Sequence, residues 1–593
     1  MISNKFKKVF KKRYSKRLIQ FEQISDKTSD NFEKNFVKRL HRLETVGRFT
    51  VVWILGIGIL IFAVITQTLN LSNYFQTLKP VPGGSFSEGI LGNYTNANPI
   101  YAKTNVDHAV SSLVFSGLLK YNSENKLVGD LASAYTVDSS GLNYTFSIRP
   151  NLTWQDGEPL TSDDVAFTFN LIKNPNTGSP LFASWQGISV STPNPLTIVF
   201  TLPNPLSSFV YSLTTGIIPS HILKNIQPGT MRTINFNTIS AVGAGPFSLT
   251  AVKVKGNTPQ TRKEIIQLSP FAKYWQGKPK LSSFAISAYN DQDNMINSFK
   301  NRSLDAMSGL TTVPNGINKS AVQYTFPLTA AEMVFLKTTS SPLKDLNVRK
   351  ALVMATNQTE IINSLNYTSI AVDEPLLKNQ IAYDPKYAQA QFNPIKASEI
   401  LTSNGWIIGK GNIRYKNGQP LNISLTASNS KEATVDAQLL KKQWQAVGAS
   451  VNLHLLNDSD LQYALSYHNY DAILYGISIG ADPDVYAYWD SSQVDPRSPF
   501  RLNLSEYSSS TADNALEQGR TRLDLNLRVI KYQPFLQAFQ ADAPAIGLYQ
   551  PRYLYISSIN IFGLKPHEIN NSTDRYSNVV NWEIRQDKFT NKN

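Results

Sequence analysis

The feature that most constrains this chain is an uncharged apolar segment near its N-terminus. Residues 49–78, FTVVWILGIGILIFAVITQTLNLSNYFQTL, contain no charged side chain, and residues 51–65 are apolar apart from two glycines. An α-helix of about 20 such residues spans the hydrocarbon core of a bilayer. We therefore predict a transmembrane anchor at 49–70, followed by a linker at 71–83. A cleaved signal peptide is the alternative, but 48 residues would precede its apolar region and no small-residue cleavage pattern follows it.

Positive charge is concentrated on the N-terminal side of the apolar segment. Residues 1–48 hold 14 Lys and Arg against 5 Asp and Glu, which is +9 of the formal net charge of +14. The positive-inside rule makes this a basic cytoplasmic segment and places the C-terminal body outside a single-pass cell-membrane protein. The apolar spacing within residues 30–48 predicts an amphipathic helix on anionic lipid headgroups, although a solvated basic tail that only fixes the topology explains it equally well.

The size and composition of the chain exclude several classes of protein. A chain of 593 residues is too long for one core, so two or three lobes are expected. The absence of cysteine excludes disulfides, thiolate metal sites and cysteine nucleophiles. The six histidines have no zinc-binding spacing, so we predict no metal and no cofactor. The mildly basic body is weak support for nucleic-acid binding, and we expect no such partner.

One stretch, GLNYTFSIRPNLTWQDGEPLTSDDVAF at 141–167, places four carboxylates close together: Asp156, Glu158, Asp163 and Asp164. A glycosidase would need two carboxyl groups facing each other across a sugar, about 5–9 Å apart. The stretch instead alternates as a strand, turns at Asp-Gly, and opens a helix with Thr161 as N-cap and Asp164 at the N3 position of a capping box. We interpret the acids as scaffold. No nucleophile elbow of the form Gly-x-Ser-x-Gly occurs, and we predict that the protein is not an enzyme.

Nine blocks of sequence resemble the family 5 extracellular solute-binding proteins, the oligopeptide and dipeptide class that serves ABC importers. The first is residues 111–167, which includes the stretch above. The others are IIPSHIL (217–223), VGAGPFSL (242–249), LSPFAKYWQGKPKLSSFAI (268–286), FKNRSLDAM (299–307), LKDLNVRKALVMATNQTEII (343–362), FNPIKASEILTSNGW (392–406), YDAILYGISIGADPDVYAYW (470–489) and APAIGLYQPRYLY (543–555). Each block alone is weak, but nine in the family's order across residues 84–555 indicate the family.

The resemblance implies a mixed α/β fold: a two-lobed clamp of the periplasmic-binding-protein type with a third insert lobe, the cluster C type, preceded by the single N-terminal transmembrane helix. The implied lobes are a discontinuous lobe I at 84–103, 239–330 and 548–593, a lobe II at 104–238, and a lobe III at 331–547. A ligand would lie between the first and third lobes and be enclosed when they hinge shut.

The function implied by the resemblance is capture of oligopeptides, or of a similar extended solute, and delivery to an ABC permease with its ATPases. A monomer without a cofactor, tethered to the lipid bilayer by its N-terminal helix, would suffice for this function. The alternative is a surface sensor or scaffold on the same fold that does not transport, which the long basic N-terminal segment also fits.

The resemblance points to YGISIGADPDVYAYW, at 475–489, as the ligand-binding segment. In the family an Asp three residues before an Asp-Pro pair holds a peptide's α-ammonium, but here that position is Ile479. Either Asp482 or Asp484 replaces this anchor, or the ligand has no free amine there. Asp482 is equally well explained as a turn residue before proline, and the aromatic residues as core. The predicted ligand-binding residues are Ser478, Asp482, Tyr486 and Trp489.

Overall fold

The computed structural model describes residues 47–74, 76–258, 261–495, 497 and 501–590. The chain divides into two compact units. Of the described residues, the first unit contains 47–79 and 586–590, and the second contains 80–585. The predicted cytoplasmic segment and its amphipathic helix lie outside the described residues, except for positions 47 and 48.

The α-helices of the described residues, in chain order, are α1 (Gly47–Tyr74), α2 (Asn105–Val114), α3 (Ser162–Ile172), α4 (Ser220–Leu223), α5 (Gln292–Lys300), α6 (Leu346–Ala355), α7 (Gln358–Ser364), α8 (Pro394–Ser403), α9 (Lys431–Ala446), α10 (Asp458–Tyr467), α11 (Tyr486–Trp489), α12 (Ser510–Arg520) and α13 (Leu525–Asp542). Short 3-10 helices connect several of them, among them Ser207–Thr214 and Ser572–Tyr576.

The strands, in chain order, are β1 (Gln76–Val81), β2 (Ser85–Leu91), β3 (Leu119–Tyr121), β4 (Leu127–Gly129), β5 (Ala132–Val137), β6 (Asn143–Ile148), β7 (Ser189–Asn194), β8 (Thr197–Thr201), β9 (Phe247–Lys255), β10 (Lys263–Pro270), β11 (Ser283–Tyr289), β12 (Ala306–Leu310), β13 (Val322–Pro327), β14 (Ala330–Leu336), β15 (Ile407–Ile408), β16 (Arg414–Lys416), β17 (Gln419–Pro420), β18 (Asn422–Ser428), β19 (Ser450–Leu456), β20 (Ala472–Ser478), β21 (Ala545–Tyr549), β22 (Arg552–Ser557) and β23 (Arg585–Thr590).

The helix α1 forms where the apolar segment predicts one. Its span Phe49–Gln67 is long and apolar enough to cross a bilayer and is not buried, and no other helix of the described residues meets that test. The residues predicted as a linker, 71–83, hold the last turn of α1 and the strand β1, which pairs with β23. The linker is therefore partly regular structure, because strand pairing satisfies its backbone groups.

The largest sheet is assembled from distant parts of the chain. Its order is β13-β22-β12-β2-β11-β10-β9, with β2 parallel to β11 and β12. Residues 85–91, 247–327 and 552–557 supply these strands, and all three stretches fall within the ranges predicted for lobe I.

Two further sheets carry the rest of the second unit. A four-stranded antiparallel sheet has the order β5-β6-β8-β7, and a five-stranded mixed sheet has the order β19-β18-β20-β14-β21. The first lies in the range predicted for lobe II and the second almost wholly in that for lobe III. Residues 80–585 form one compact unit, so the division into three lobes stays a prediction.

The five-stranded sheet is buried on both faces, as the alternation of β14 shows. Val334 and Leu336 pack into a core with α6, α8 and α9, whereas Met333 and Phe335 pack on the opposite face with α12 and α13. Successive strand residues point to opposite faces, so one apolar strand serves two cores.

Two of the four clustered acids of residues 141–167 have structural partners, and the other two, Glu158 and Asp163, are exposed. Thr161 is the N-cap of α3 and the Asp164 carboxylate accepts the Thr161 N–H at 3.0 Å. It also accepts the N–H and hydroxyl of Ser220 at 2.9 and 2.7 Å, so it joins α3 to α4. The Asp156 carboxylate lies 2.8 Å from the imidazole of His221. The predicted scaffold role is therefore supported for Asp156 and Asp164.

We expect the substitution Asp164→Ala to lower the free energy of unfolding by about 2 kcal/mol, because it removes a helix cap and leaves donors of Thr161 and Ser220 unpaired. Asp163→Ala, at the adjacent exposed position, is the matched control and should change stability by no more than about 0.5 kcal/mol. Urea unfolding curves of both variants give the comparison. Equal effects of the two substitutions would show that the acids act only through the helix dipole.

Candidate functional site

A cavity of about 580 Å³ is lined by residues of the five-stranded sheet, of the largest sheet, and of helices and loops beside them. Its walls come from α2, from the end of the Ser207–Thr214 turn, from the edge of β14 and β20, and from β22 with the Ser572–Tyr576 turn. These parts of the chain belong to all three predicted lobe ranges. A concave site built from distant segments is the ordinary setting of a ligand pocket.

The first wall is one face of α2. Asn105, His108 and Ser112 are spaced three and four residues apart, so their side chains share that face and line the cavity. Asp107 fixes the helix in place, because its buried carboxylate accepts the backbone N–H groups of Thr95 and Asn96 at 2.7 and 2.9 Å. Burial lowers the pKa of His108 below its ordinary value of 6.5, so its imidazole is uncharged at pH 7.

The second wall is the Ser572–Tyr576 turn, which presents Ser572 and Thr573 to the cavity. Asn571 caps it, and the Asp574 carboxylate accepts the N–H groups of Asn570 and Asn571 at 2.9 and 3.2 Å. Beneath the turn, Arg575 forms a buried ion pair with Glu88 of β2 at 2.6 Å. The turn is therefore tied to the central strand of the largest sheet.

Three buried hydroxyl groups complete the network around Glu88. Tyr576, Tyr555 and Ser308 donate to its carboxylate at 2.7, 3.0 and 3.1 Å. The neighbouring Glu88 raises the pKa of the Arg575 guanidinium well above its ordinary value, although burial opposes this. These bonds to the carboxylate help to offset the desolvation of the buried pair. The Nε atom of Arg575 is buried without a hydrogen-bond partner among the described residues.

The third wall is the end of the five-stranded sheet, where Ala330 of β14 faces Ser478 of β20. The Ser478 carbonyl accepts the Tyr488 hydroxyl at 2.6 Å, which holds the segment after β20 against the sheet. Ile479 and Gly480 both donate their N–H groups to the Thr329 carbonyl at 2.9 Å.

The cavity wall carries many uncharged polar side chains among apolar ones and is nearly free of charge. Serine, threonine and asparagine make up just over half of the described residues that line it. His108 is the one histidine among these lining residues, and no carboxylate, lysine or arginine is among them. Such a surface offers hydrogen bonds without fixed ionic partners.

A smaller cavity of about 160 Å³ adjoins the first and shares Ser112 and Thr573 with it. It contains charged groups, but each is already engaged. The Asp130 carboxylate accepts the Trp275 indole N–H at 2.7 Å, and Lys120 donates to the Gln276 amide at 2.7 Å. Burial raises the pKa of Asp130 and lowers that of Lys120, which weakens both as free ionic partners.

Of the four residues predicted to bind a ligand, Ser478 lines the cavity. Asp482 is buried and forms a two-pronged ion pair with Arg528 of α13, at 2.7 and 2.8 Å. Tyr486 stacks under the guanidinium of Arg520, 4.2 Å from the ring centre. Trp489 is fully buried between Phe335 and Phe539, at centroid distances of 5.5 and 4.7 Å.

Asp484, the second candidate for an amine anchor, is also paired. Its carboxylate lies 3.0 Å from the Arg520 guanidinium and accepts the Ser208 hydroxyl at 2.9 Å. Ser207 donates to the Arg520 carbonyl at 2.9 Å. Both carboxylates of the ADPD sequence are thus neutralised by arginines, and the Ser207–Thr214 turn is held against the end of α12.

Sequence reasoning missed most of the cavity wall, including Asn105, Thr215 and Asn571. The polar spacing of α2 is a signal for one helix face, but the same spacing is typical of a solvent-exposed face. Nothing in a single sequence distinguishes the two. Among the described residues, no group of three His, Asp or Glu side chains is arranged to hold a metal ion.

Residues 126–497 match the sequence model of the family described as bacterial extracellular solute-binding proteins, family 5 Middle. The chain belongs to this family. Its relatives among solute-binding proteins include the oligopeptide-binding protein AppA of Bacillus subtilis, 23% identical over 521 residues that cover 85% of this chain and 92% of AppA. The nickel-binding periplasmic protein of Escherichia coli is 24% identical over 478 residues, which cover 78% of this chain and 86% of that protein.

Solved structures of solute-binding proteins share the fold. The ABC transporter substrate-binding protein CtaP of Listeria monocytogenes superposes with a TM-score of 0.73 at 22% identity, covering 85% of this chain and 99% of CtaP. AppA of B. subtilis, in complex with a nonapeptide, gives a TM-score of 0.66 at 22% identity, covering 86% of this chain and all of AppA. The mixed α/β fold predicted from the resemblance is confirmed. These relatives are transport proteins rather than enzymes.

Proposed function

We propose that this protein is a membrane-anchored substrate-binding protein of an ABC importer. It captures an oligopeptide or a similar extended solute in the 580 Å³ cavity and delivers it to a permease with its ATPases. The observation that carries this proposal is the cavity itself, because its walls come from parts of the chain that are far apart in sequence. Relative movement of such walls would open and close the site.

The ligand class is proposed from the relatives. AppA is named as an oligopeptide-binding protein and has been solved with a nonapeptide, whereas the E. coli relative is named as nickel-binding. The described residues of this chain lack a metal-holding group, and their cavity offers many hydrogen bonds, which suits a peptide or a similar polar chain. We propose Ser478 as a direct contact, and Asp482, Tyr486 and Trp489 as residues that shape the wall behind it.

The proposal is tested on the full chain in lipid nanodiscs by native mass spectrometry after gentle purification. A ladder of co-purified short peptides, together with a rise in unfolding temperature on adding a peptide library, is expected. Solute capture would be contradicted if no mass adducts were found and if neither peptides nor neutral oligosaccharides raised the unfolding temperature. That outcome would favour the sensor or scaffold role on the same fold.

We further propose that α1 anchors the protein with residues 1–48 in the cytoplasm. The full chain should remain in the membrane after alkaline carbonate extraction. The double substitution Ile57→Arg and Ile61→Arg should release it, because each arginine near the helix centre costs about 2.5–3.5 kcal/mol on insertion scales. Ile57→Leu with Ile61→Leu is the matched control and should stay in the membrane. Release of the unmodified chain would show that α1 is not an anchor.

A further inference from the structure

No charged side chain among the described lining residues could pair with a charged group of a ligand. However, the strand β14, which forms part of the wall, carries a carboxylate next to the cavity. The two acids nearest the predicted anchor position, Asp482 and Asp484, are each paired with an arginine. A third acid, Glu332, lies on β14 two residues beyond the cavity-lining Ala330. Residues i and i+2 of a strand share one face about 7 Å apart, so Glu332 lies on the same face of β14 as Ala330, next to the cavity wall.

The geometry of the neighbouring strand leaves room for this carboxyl group. Gly476 of β20 lies directly opposite Glu332, as Ser478 lies opposite Ala330. A Cβ atom on Gly476 would come within 2.5 Å of Glu332 Oε1, so the absence of a side chain there lets the carboxyl group lie across β20. Glu332 is half-buried, and no hydrogen bond from the described residues reaches its carboxyl group.

The surroundings of Glu332 are short of positive charge. Glu432 and Asp436 act on it electrostatically from α9. The Tyr549 hydroxyl donates to Asp436 at 2.6 Å and lies 3.1 Å from the Glu432 carboxylate. The other oxygen of Asp436, Oδ1, is buried without a hydrogen-bond partner in the part of the chain that the structure describes, in a residue only 1% exposed.

One guanidinium, that of Arg552, lies close enough to act electrostatically on Glu432. It stacks on the ring of Tyr367, 3.9 Å from the ring centre. The Tyr367 hydroxyl donates to Glu432 at 2.7 Å. Three acids therefore lie together beside the wall at Ala330, and one buried carboxylate oxygen among them has no hydrogen-bond partner in the described part of the chain.

We propose that Glu332 is the anchor for a protonated amine of the ligand, at the end of the cavity formed by the five-stranded sheet. This inference rests on the proposed function and names its substrate class: a solute with a neutral polar body, which the serine, threonine and asparagine walls bind, and one ammonium group. The ammonium donates to Glu332 and brings positive charge to the three acids.

Binding of an ammonium group to Glu332 should release a proton, and this release can be measured. Burial, with Asp436 and Glu432 nearby, raises the pKa of Glu332 to about 8, so the empty site holds a proton on this carboxyl at pH 7. Burial raises the pKa of Asp436 to about 6. An ammonium favours the ionised carboxylate, so binding at pH 7 releases the Glu332 proton to solvent. A neutral ligand would release none.

The test compares C-amidated tetrapeptides that carry a free or an acetylated N-terminus, with the full chain in nanodiscs. The free-amine peptides should bind about tenfold or more tightly than their acetylated forms, as expected for a charge-assisted hydrogen bond at a desolvated site. Glu332→Gln should bring the two affinities within about twofold of each other. The matched control Glu158→Gln, an exposed acid outside the cavity, should leave the difference intact.

Calorimetry in buffers of different ionisation enthalpy provides the second readout. Free-amine peptides should release close to one proton at pH 7 with the unmodified chain and none with Glu332→Gln. Gly476→Ala, which keeps Glu332 but displaces its carboxyl group, should reduce the preference for free amines in the same direction. It serves as the independent variant if Glu332→Gln does not fold.

The outcomes separate this inference from the function on which it rests. Equal affinity for free and acetylated peptides, or binding of neutral oligosaccharides alone, would overturn the anchor at Glu332 while leaving solute capture standing. A free-amine preference that survives Glu332→Gln but is lost in Asp130→Asn would place the anchor in the smaller cavity and also overturn it. Binding of none of these ligands would contradict both.

Discussion

Replacing Glu88 with leucine should lower the free energy of unfolding by about 3–5 kcal/mol, the range for breaking a buried ion pair by removing one partner. Leucine fills much of the same space, so loss of volume contributes little. The dominant cost is the Arg575 guanidinium, which is 1% exposed and would lose the carboxylate 2.6 Å away. Urea unfolding followed by tryptophan fluorescence measures the change.

A double substitution tests whether the effect comes from the unpaired charge. Glu88→Leu combined with Arg575→Met removes both charges and should regain part of the lost stability, because no unpaired guanidinium remains. The three buried hydroxyl groups that donate to Glu88 still lack an acceptor in the double variant. Glu124→Leu is the surface control. Glu124 pairs with Lys126, but their side chains are 66% and 73% exposed, and no measurable change is expected. A double variant no more stable than the single one would show that the network acts through packing alone.

The Glu88 network also bears on ligand binding, because Arg575 lies in the turn that presents Ser572 and Thr573 to the cavity. We expect the single variant to bind ligand more weakly than its stability loss alone explains. Affinity measured well below the unfolding temperature separates the two effects.

Removing Arg528 is the second change with a large expected effect. Arg528→Met should cost about 3–5 kcal/mol, since it leaves the buried Asp482 carboxylate without the two hydrogen bonds it now accepts. The pair joins the loop after β20 to α13, so the loop should also loosen. Urea unfolding gives the stability change, and hydrogen exchange of residues 479–489 reports the loosening.

An exposed arginine provides the comparison for Arg528. Arg522→Met, six residues earlier in the chain, should change the free energy of unfolding by no more than about 0.5 kcal/mol. If Arg528→Met lowered the free energy of unfolding as little as Arg522→Met does, the Asp482 carboxylate would not depend on Arg528. The predicted role of Asp482 as an amine anchor would then regain support.

Local patterns in the sequence predicted local structure well. The apolar run gave a helix at 47–74, and the spacing of Thr161 and Asp164 gave a capped helix that begins at Ser162. These features depend on residues only three or four positions apart, so they can be recognised from the spacing of residues in the sequence. The fold as a whole followed from the resemblance of nine blocks rather than from physical reasoning alone.

The cavity residues could not be predicted in the same way, because their partners are remote in the chain. Asp482 is neutralised by a residue 46 positions away, and no spacing rule connects the two. Trp489 carries the same aromatic side chain whether it faces a ligand or the core, and here it packs in the core. The sequence gives only weak evidence for a role of Glu332, because it is a single acidic residue in an otherwise apolar strand. Its significance depends on its position opposite Gly476, which only the strand register shows.

The order of strands in the largest sheet determines when the protein can finish folding. The strand β22 lies between β12 and β13, and the partners Arg575 and Glu88 are separated by 487 positions. During synthesis, one edge of β12 stays unpaired until residues 552–557 have left the ribosome. Contacts this distant in the chain form slowly, and unpaired strand edges favour aggregation. We therefore expect truncations that remove β22 to accumulate as insoluble or degraded material rather than as a smaller folded receptor.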